Sequence, residues 1–430
     1  FRLFAVFDMM LQDGGAHRII WMCKGDAGTK FCLLCKNALA LDSTTCIDDE
    51  PMLRANVLHE HELDFATNAD VRGTVARING YKITDNKGTF KIREQALGIT
   101  WGPYNLLSDP DLNSVVNPCD QFCHDWMHCL IASGLFQLVF HLLLEDLERA
   151  GLRNVYELFQ NYVMMCNWQV GYHTNNLGRF FDSTRRTSNR KAGTFKCQAS
   201  DALALYPVLS FFVLTMFLRT GHAVPACGAF ITLCDLLDLF TSCARGVVTP
   251  LMMRRRVHLF LDAFVAAFGV QSMIPKCHWL LHFARHLERW GNLLACFVTE
   301  RKHKMLKRYA NDLDNTSHFE RSLMAEVVCH QIQALDDPNT FSSAIGLVKP
   351  QKAPRKLADV LMAEFQVEYE FVATATTSRF SKFATCSKKD VVLFTKGESY
   401  VAGEIWAHAD IHGVAVSIVS EWALLEHAAT

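Results

Sequence analysis

Charged side chains are scarce in this sequence, and neither sign dominates. Only 20% of the 430 residues are charged, Lys and Arg number 43 against 44 Asp and Glu, and half of the residues are hydrophobic. This composition excludes a long disordered tail of the acidic or basic kind. It also excludes attraction of nucleic acid by an overall positive charge, so any such binding has to rest on local basic patches.

Long apolar runs, internal repeats and low-complexity tracts are also lacking. The longest apolar run, residues 202–218, approaches the length of a short membrane span, but Pro207 within it and the lack of a second comparable run favour a buried helix. The 16 cysteines are spread along a chain rich in Met and His, which favours a reducing compartment over a disulfide framework. Because the first residue is Phe1 rather than Met, we expect the sequence to be part of a longer protein.

Hydrophobic spacing indicates that the chain is mostly helical up to residue 335. Apolar residues at helical intervals predict one long helix over residues 120–150, ended by Gly151, and a helical block from there to about residue 268. The basic stretch 179–196 interrupts that block, and we predict it to be a flexible loop. Two further helices are predicted over residues 276–290 and 299–335.

The C-terminal part of the chain has a different composition. Pro, Ser and Lys concentrate between residues 336 and 356, which is typical of a linker and marks a domain boundary. Beyond it, short β-rich runs over residues 391–394, 400–407 and 414–421 are separated by glycine-containing turns. They predict a small β-barrel-like or β-sandwich module.

The first group of candidate functional residues lies near the amino terminus. Asp13 borders an apolar segment, and Cys32 and Cys35 form a Cys-x-x-Cys pair further along the chain. Two thiolates at this spacing can hold one edge of a tetrahedral zinc ion, which needs two more ligands. The candidates for those ligands are Cys46, His59 and His61. The alternative is a pair of buried free cysteines.

The second group lies in residues 119–129, which hold three cysteines, two aspartates and two histidines. Asp125 and His128 are three residues apart, so a helix would place both side chains on one face, where they could bind a metal ion or a phosphate. The alternative is that Asp125 caps the helix and that His128 is a partly buried histidine with an ordinary hydrogen bond.

The third group lies in residues 276–308. His278, His282 and His286 recur every four residues and share a helix face, so a metal-binding stripe is conceivable, but such a stripe is more often solvated or at the edge of a core. Glu300 follows an apolar segment and opens a strongly basic helix. This glutamate is either neutralised by the cations that follow it, or holds a divalent metal ion while they bind DNA phosphates. The cations include Arg301, Lys302 and Lys304.

Two basic patches supply the other candidates for nucleic-acid contact. The patch in the predicted loop contains Arg185, Arg186, Arg190, Lys191 and Lys196. The other contains Arg254, Arg255 and Arg256. Each patch can neutralise several phosphates, although most charge runs are simply solvated surfaces.

The order of these motifs resembles the catalytic region of CACTA-like DNA transposases and their Plavaka and Kyakuja-type relatives. In that family an aspartate precedes a Cys-x-x-Cys pair, an Asp-x-x-His motif opens a helix, and a Glu-Arg pair follows a long insertion. Here these motifs are Asp13, FCLLC, DWMHC and TERKHK. The family also has a Lys-x-His-x-x-x-His segment before the glutamate, matched here by Lys276, His278 and His282. The resemblance covers roughly residues 1–335.

The resemblance implies a mostly helical α/β protein with an RNase H-like catalytic core. The core would comprise residues 1–150 and 276–335, interrupted by an all-α insertion at 151–275, with a linker at 336–380 and the β module at 381–430 outside the matched part. It also implies two Mg²⁺ or Mn²⁺ ions, one activating water or a DNA 3′-hydroxyl and the other stabilising the leaving oxygen. Asp13 would be the second catalytic carboxylate and Glu300 the third, while Asp125 and His128 would help to position DNA.

The first catalytic aspartate of that family lies upstream of the position matched by Asp13, and the sequence starts too late to contain it. We therefore expect DNA cleavage and strand transfer at transposon ends only when the missing part is restored. The resemblance further implies a nuclear protein that forms a homo-oligomer and enters no membrane. Two alternatives stay open: a catalytically inactive, domesticated DNA-binding protein, and a zinc-stabilised interaction protein.

Overall fold

The architecture is mixed α/β and mostly helical, as the sequence predicts. A computed structural model describes residues 8–40, 53–54, 59–103, 106–166, 168, 177–296, 309–310, 318–336, 346–369, 372–381, 384–397 and 399–422. The chain divides into two units, residues 1–303 and 304–430, and each is described by itself.

The first unit consists of helices with a few short strands. Its strands are β1 (Met10–Gln12), β2 (Ala38–Leu39), β3 (Leu53–Arg54) and β4 (Phe122–His124). Its helices are α1 (Gly14–Ile20), α2 (Asn68–Thr84), α3 (Lys87–Leu97), α4 (Pro110–Val115), α5 (Pro118–Gln121), α6 (Trp126–Leu130), α7 (Leu135–Arg149), α8 (Val155–Met165), α9 (Ser183–Ala192), α10 (Ala199–Phe212), α11 (Val224–Ser242), α12 (Pro250–Phe268), α13 (Pro275–Trp279) and α14 (Phe283–Trp290).

Strands β1 and β4 pair in parallel, and an aspartate follows each of them. Asp13 and Asp125 come directly after the last residue pair of this small sheet, so both leave it at the same edge. Each caps the helix that comes next, with Ala16 donating its amide to Asp13 at 2.6 Å and Met127 donating to Asp125 at 3.2 Å. Aspartate suits this position because its carboxylate accepts from amides that no helical carbonyl reaches.

The prediction of one long helix over residues 120–150 is wrong. The segment contains α5, β4, α6 and α7, because residues 122–124 pair with β1 and a turn separates the last two helices. In that turn Ser133 has a φ of 49°, and a Cβ on Gly134 would lie 2.6 Å from the carbonyl oxygen of Leu130. Hydrophobic periodicity shows which face of a helix is buried, but it does not show where a turn interrupts the helix. The predicted end near Gly151 is confirmed, since α7 ends at Arg149.

The core of the first unit is rich in phenylalanine. α7 contributes Phe136 and Phe140, α8 contributes Phe159 and α11 contributes Phe230, and all four side chains are fully buried. α11 packs against both α7 and α12, with the Phe140 and Phe230 rings 5.2 Å apart. Burial of one such side chain contributes about 1.5–3 kcal/mol, so this aromatic core is a main source of stability for the helical part.

The basic stretch predicted as a flexible loop is instead largely helical. Helix α9 begins after Asp182, whose carboxylate accepts from the Arg185 amide at 2.7 Å, and ends at Gly193, which has a φ of 63°. The prediction failed because Gly193, counted as a sign of a loop, is the C-cap of the helix, where a left-handed residue is the usual terminator.

Three segments in the described part of the chain are long and apolar enough, by length and composition only, to cross a membrane. They are Trp126–Arg149, Ala199–Leu218 and Val224–Arg245, and their most apolar windows are 72%, 39% and 50% buried in the fold. The statement that the run at 202–218 has no comparable partner is therefore wrong. In all three, part of the apolar surface packs into the core of the first unit.

The second unit contains most of the β structure. Its helices are α15 (Phe319–Asp336) and α16 (Arg355–Phe365). Its strands are β5 (Gly346–Val348), β6 (Gln351–Lys352), β7 (Val372–Ala375), β8 (Thr377–Ser381), β9 (Ala384–Ser387), β10 (Val391–Lys396), β11 (Ser399–Ile411) and β12 (Val414–Glu421). The three predicted β runs are confirmed as β10, β11 and β12.

Two antiparallel sheets and helix α16 pack together in the second unit. One sheet has the order β10-β11-β7-β6 with β12 on the other edge of β11, and the second has the order β5-β8-β9. Ala358 and Leu361 of α16 pack with Val372, Ala409 and Ile411 of the first sheet. The stretch 336–380, expected to be a linker, thus contains a helix and four strands.

Candidate metal centre

Four side chains that can bind one metal ion meet in the first unit: Cys32, Cys35, His278 and His282. All four are buried, and one ligand atom from each lies within 4.8 Å of the others. Cys32 and His282 are 250 residues apart in the sequence, so this Cys2His2 group exists only in the folded chain.

The distances in the Cys2His2 group fit a tetrahedral zinc ion. His282 Nε2 lies 3.3 Å from Cys32 Sγ, 3.6 Å from Cys35 Sγ and 3.1 Å from His278 Nε2. Ordinary zinc–sulfur and zinc–nitrogen bonds at tetrahedral angles separate sulfur from nitrogen by about 3.6 Å, and two nitrogens by about 3.3 Å. The three measured distances agree with these values to within about 0.3 Å, which supports a zinc-sized space between the four atoms.

The cysteine half of the group lies on a loop over residues 31–36. Backbone hydrogen bonds fasten this loop to the segment 64–66: Lys36 donates to Asp64 at 2.7 Å, and Ala66 donates to Leu34 at 2.9 Å. A short antiparallel bridge between Cys35 and Phe65 completes the attachment. The two thiols therefore project from a fixed backbone.

The histidine half of the group lies on α13 and the turn that follows it. His278 and His282 are four residues apart, so one helical turn places both rings on the same face. The Phe31 ring meets His278 edge-on at 5.0 Å, and the Phe65 ring meets His282 at 5.9 Å. These apolar contacts restrict both imidazoles to orientations in which their Nε2 atoms face each other.

The protonation states of the group are suited to a metal ion. Burial opposes the ionised form of Cys32, but the hydrogen bond with Cys35 and the neighbouring rings of His282 and His278 outweigh it, and the pKa of Cys32 lies well below its ordinary value. Burial and the contact with Cys32 raise the pKa of Cys35. Burial lowers the pKa of His278, which favours the neutral ring. Metal binding would therefore release a proton from Cys35.

His124 is a further buried histidine beside the group. Its imidazole is an electrostatic neighbour of the Cys32 thiol, and its ring stacks on His282 at 5.5 Å and on Trp279 at 5.1 Å. A polar group beside a ligating atom influences the orientation and basicity of that ligand. His124 is the last residue of β4 and Asp125 follows it, so one short segment joins the Cys2His2 group to the aspartate edge of the sheet.

The sequence identified the cysteines of this site but not their partners. His59 and His61, offered as the other ligands, are not part of the group; the His59 ring instead contacts His61 at 5.5 Å and His258 at 5.1 Å. Cys46 lies outside the described residues. The partners are the two histidines that we had set aside as a core-edge stripe, and their four-residue spacing was the signal that could have found them.

A cavity of about 410 Å³ lies at the carboxyl ends of β1 and β4. Asp13, Asp125, His128 and Lys276 are among the residues that line this aspartate cavity. The Lys276 ammonium donates to the carbonyls of His128 at 2.8 Å and Ser133 at 2.6 Å, and burial lowers its pKa. The structure thus brings together three residues that the motif order had linked: Asp13, Asp125 and His128.

Asp125 caps its helix, as the simpler of our two alternatives proposed. Its carboxylate is buried and accepts from the amides of Met127, His128 and Cys296 at 3.1–3.3 Å. The His128 ring contacts the same carboxylate through Nδ1. Capping the helix does not prevent this carboxylate from binding a metal ion or a phosphate, because it also borders the cavity.

The residues predicted for DNA contact on α9, and those around Glu300, fall into three sets. Arg186 and Arg190 both form ion pairs with Glu148, which leaves less of their charge for phosphates. Arg185 and Lys191 are exposed on the same helix. The residues Glu300, Arg301, Lys302 and Lys304 lie outside the described part of the chain. The convergence of Asp13 and Glu300 therefore stays a prediction.

Comparison of the chain with protein-family models, with curated proteins and with solved structures found no match in any of the three. The fold and the site define a coarse class: a mostly helical α/β protein whose first unit contains a buried candidate zinc centre beside a cavity lined by three aspartates.

Proposed function

We propose that this chain is part of a cut-and-paste DNA transposase of the CACTA-like kind, with a structural zinc ion in its core. One observation carries the proposal. The Cys-x-x-Cys pair and the Lys-x-His-x-x-x-His segment, two motifs of that family from opposite ends of the first unit, supply the four ligand atoms of one candidate zinc site.

The aspartate cavity supports a catalytic role at the edge of the β1-β4 pair. Asp13 presents its carboxylate there, with one oxygen fixed by the Ala16 amide, and oxygen ligands of this kind suit Mg²⁺ and Mn²⁺. When bound, these ions would supply activation of water or of a DNA 3′-hydroxyl and stabilisation of the leaving oxygen. In the proposal Asp13 and Glu300 are the second and third carboxylates of an RNase H-like site.

The other residues of the cavity would position DNA. The Asp125 carboxylate holds the His128 ring, and Lys276 holds the backbone of the following turn, so this wall of the cavity keeps a fixed shape. Arg185 and Lys191 would bind phosphates on the surface of α9. The proposal includes transposon ends as the DNA partner, a homo-oligomeric assembly and a nuclear location.

Binding of Mn²⁺, measured by electron paramagnetic resonance, tests the role of Asp13. We expect Asp13→Asn to weaken binding at least about tenfold, because one ligand charge is lost while an asparagine still caps α1. Asp26→Asn is the matched control, since Asp26 lines the same cavity but pairs with Arg18 at 3.5 Å. Equal affinities of wild type and Asp13→Asn would contradict the assignment.

Supercoiled DNA, offered to a chain extended to include the first catalytic aspartate that the resemblance implies, separates the transposase from the two alternatives. Mn²⁺-dependent nicking that Asp13→Asn abolishes and Asp26→Asn preserves supports the proposal. DNA binding that falls steeply with salt, without cleavage at any Mn²⁺ concentration, favours an inactive DNA-binding derivative. Bound zinc without DNA affinity favours a zinc-stabilised interaction protein.

A further inference from the structure

We propose that Asp125, His128 and Cys296 form a second metal site that binds a transition metal such as Zn²⁺ or Co²⁺. One ligand atom from each residue lies within 4.8 Å of the other two. Asp125 and Cys296 are buried, and the His128 side chain is 24% exposed. This Asp-His-Cys group shares no residue with the Cys2His2 group, and the proposal does not rest on the proposed function.

The donor atoms select the class of metal. A carboxylate oxygen, an imidazole nitrogen and a thiolate sulfur together suit Zn²⁺ or Co²⁺, whereas Mg²⁺ and Ca²⁺ prefer sets made of oxygen alone. An ionised Asp125 and a Cys296 thiolate would also balance the two positive charges of the ion, so the site as a whole would be neutral. Neutrality lowers the cost of placing a dication in a largely buried position.

The backbone arranges these ligands before any metal binds. The Cys296 amide donates to Asp125 Oδ1 at 3.1 Å across 171 residues of sequence, so the bond that fixes the carboxylate also places the cysteine beside it. His128 follows Asp125 by three residues on α6, and its Nδ1 contacts Asp125 Oδ2. A metal ion would take the place of the proton between these two atoms and separate them to about 3 Å.

Lys276 lies near the site but does not compete with the metal for Asp125. Its ammonium donates to the carbonyl oxygens of His128 and Ser133. Lys276 therefore does not bond the carboxylate that faces the imidazole.

The surroundings distinguish this site from the Cys2His2 group. Asp125 and His128 both line the aspartate cavity, so a water molecule or a ligand atom from the cavity can complete the coordination. The Cys2His2 group has four protein ligands and is closed. We therefore expect the metal at the Asp-His-Cys group to exchange faster and to leave first when a chelator is added.

Metal content of the full chain, measured by elemental analysis after loading with Zn²⁺ or Co²⁺, tests the proposal. We expect two equivalents in the wild type and one in Cys296→Ser. In the cobalt form, the near-ultraviolet thiolate-to-metal band should fall by about a third, because one of three ligating thiolates is lost. Cys227→Ser is the control: Cys227 is buried outside both groups, and its thiol donates to the His222 carbonyl at 3.4 Å.

A single equivalent in the wild type that Cys296→Ser retains, or two equivalents in Cys296→Ser, overturns the second site. If Cys296→Ser does not fold, His128→Ala gives the same test, since that ring is partly exposed. Cys32→Ser separates the two centres: it should lose the metal of the Cys2His2 group and keep the equivalent at the Asp-His-Cys group.

Discussion

His17 is a buried histidine that supports the wall of the aspartate cavity. Its side chain is 3% exposed, its Nε2 hydrogen-bonds the Cys123 carbonyl at 3.0 Å, and its ring stacks on Phe122 at 3.9 Å. Burial lowers the pKa of this histidine to about 3. Near pH 6.5 the unfolded chain begins to bind a proton at this ring, whereas the folded chain keeps the ring neutral.

This difference makes stability depend on pH in a defined window. Between the unfolded pKa of about 6.5 and the folded value of about 3, the unfolded chain binds a proton that the folded chain does not, so stability falls as pH falls through this range. His17→Phe keeps the stacking and removes the titration. We expect the free energy of unfolding, measured with urea, to fall between pH 6 and 5 by up to about 1.4 kcal/mol per pH unit more in the wild type than in this variant. Equal pH slopes would show that His17 does not titrate on unfolding.

His124 offers a second prediction at the scale of one residue. His124→Phe removes the imidazole beside Cys32 while preserving an aromatic ring against Trp279, and we expect zinc affinity to fall 10- to 100-fold, measured by chelator competition. His286→Phe is the control, because its ring lies 6.4 Å from that of His282 and its Nε2 has no hydrogen-bond partner in the described part of the chain. An equal loss in both variants would mean that packing, rather than the imidazole of His124, supports the site.

Single residues also show how far the sequence could predict this site. Cys32 and Cys35 were found because their spacing is local and its geometry is general. Their histidine partners lie about 250 residues away, and only the fold decides that this pair, rather than the closer His59 and His61, reaches the thiols. Cys296 was missed for the same reason, since nothing near it in sequence marks it as a partner of Asp125.

At the scale of elements, the sequence predicted those whose structure depends on local pattern. The helical segment 276–290 and the strands β10, β11 and β12 are confirmed. The long helix over residues 120–150 was wrong because pairing of β4 with β1 overrides helical periodicity. The predicted loop was wrong because the caps at Asp182 and Gly193 turn a polar segment into a helix.

The end of α3 provides a prediction that links an element to the metal group. Gly98 ends this helix with a φ of 72°, and a Cβ there would lie 2.1 Å from the Lys30 carbonyl oxygen, two residues before Cys32. Gly193 ends α9 with a similar φ of 63° but faces open space. We expect Gly193→Ala to cost about 1 kcal/mol from backbone strain alone, and Gly98→Ala to cost at least about twice as much because the backbone must also move.

Thermal unfolding compares the two alanine variants, and chelator competition shows whether the displaced loop also weakens zinc binding. We expect reduced zinc affinity in Gly98→Ala only. Equal losses of stability would mean that the loop before Cys32 can shift at no cost, and that α3 does not fix the position of the thiols.

At the scale of the whole molecule, the charge balance restricts how DNA can be bound. The net charge is −1, and Glu148 neutralises two of the four arginines and lysines proposed on α9. The RNase H-like core and the transposase reaction remain predictions, because they derive from the order of motifs rather than from a pattern that periodicity or composition establishes.

A salt titration of DNA affinity tests which of these cations take part. The double variant Arg185→Ala/Lys191→Ala should reduce the slope of log affinity against log salt by about 2, because each phosphate contact adds nearly one unit to it. Arg186→Ala/Arg190→Ala, which removes the same charge from the pairs with Glu148, should change the slope less. The reverse order would place the DNA on the Glu148 side of the helix.

Zinc removal tests whether the Cys2His2 group connects distant parts of the first unit. The ion would join the loop at 31–36 to the segment 275–282, and a ligand that binds only the folded state stabilises it by mass action, about 2.7 kcal/mol when free zinc exceeds its dissociation constant 100-fold. Chelation should therefore lower the unfolding midpoint and speed amide exchange in these two segments first. The aromatic core around α11 and α12 should keep its protection, because its contacts do not involve the metal. Faster exchange spread evenly over the first unit would mean that zinc stabilises the whole unit cooperatively, and unchanged exchange would mean that the four ligands hold their places without it.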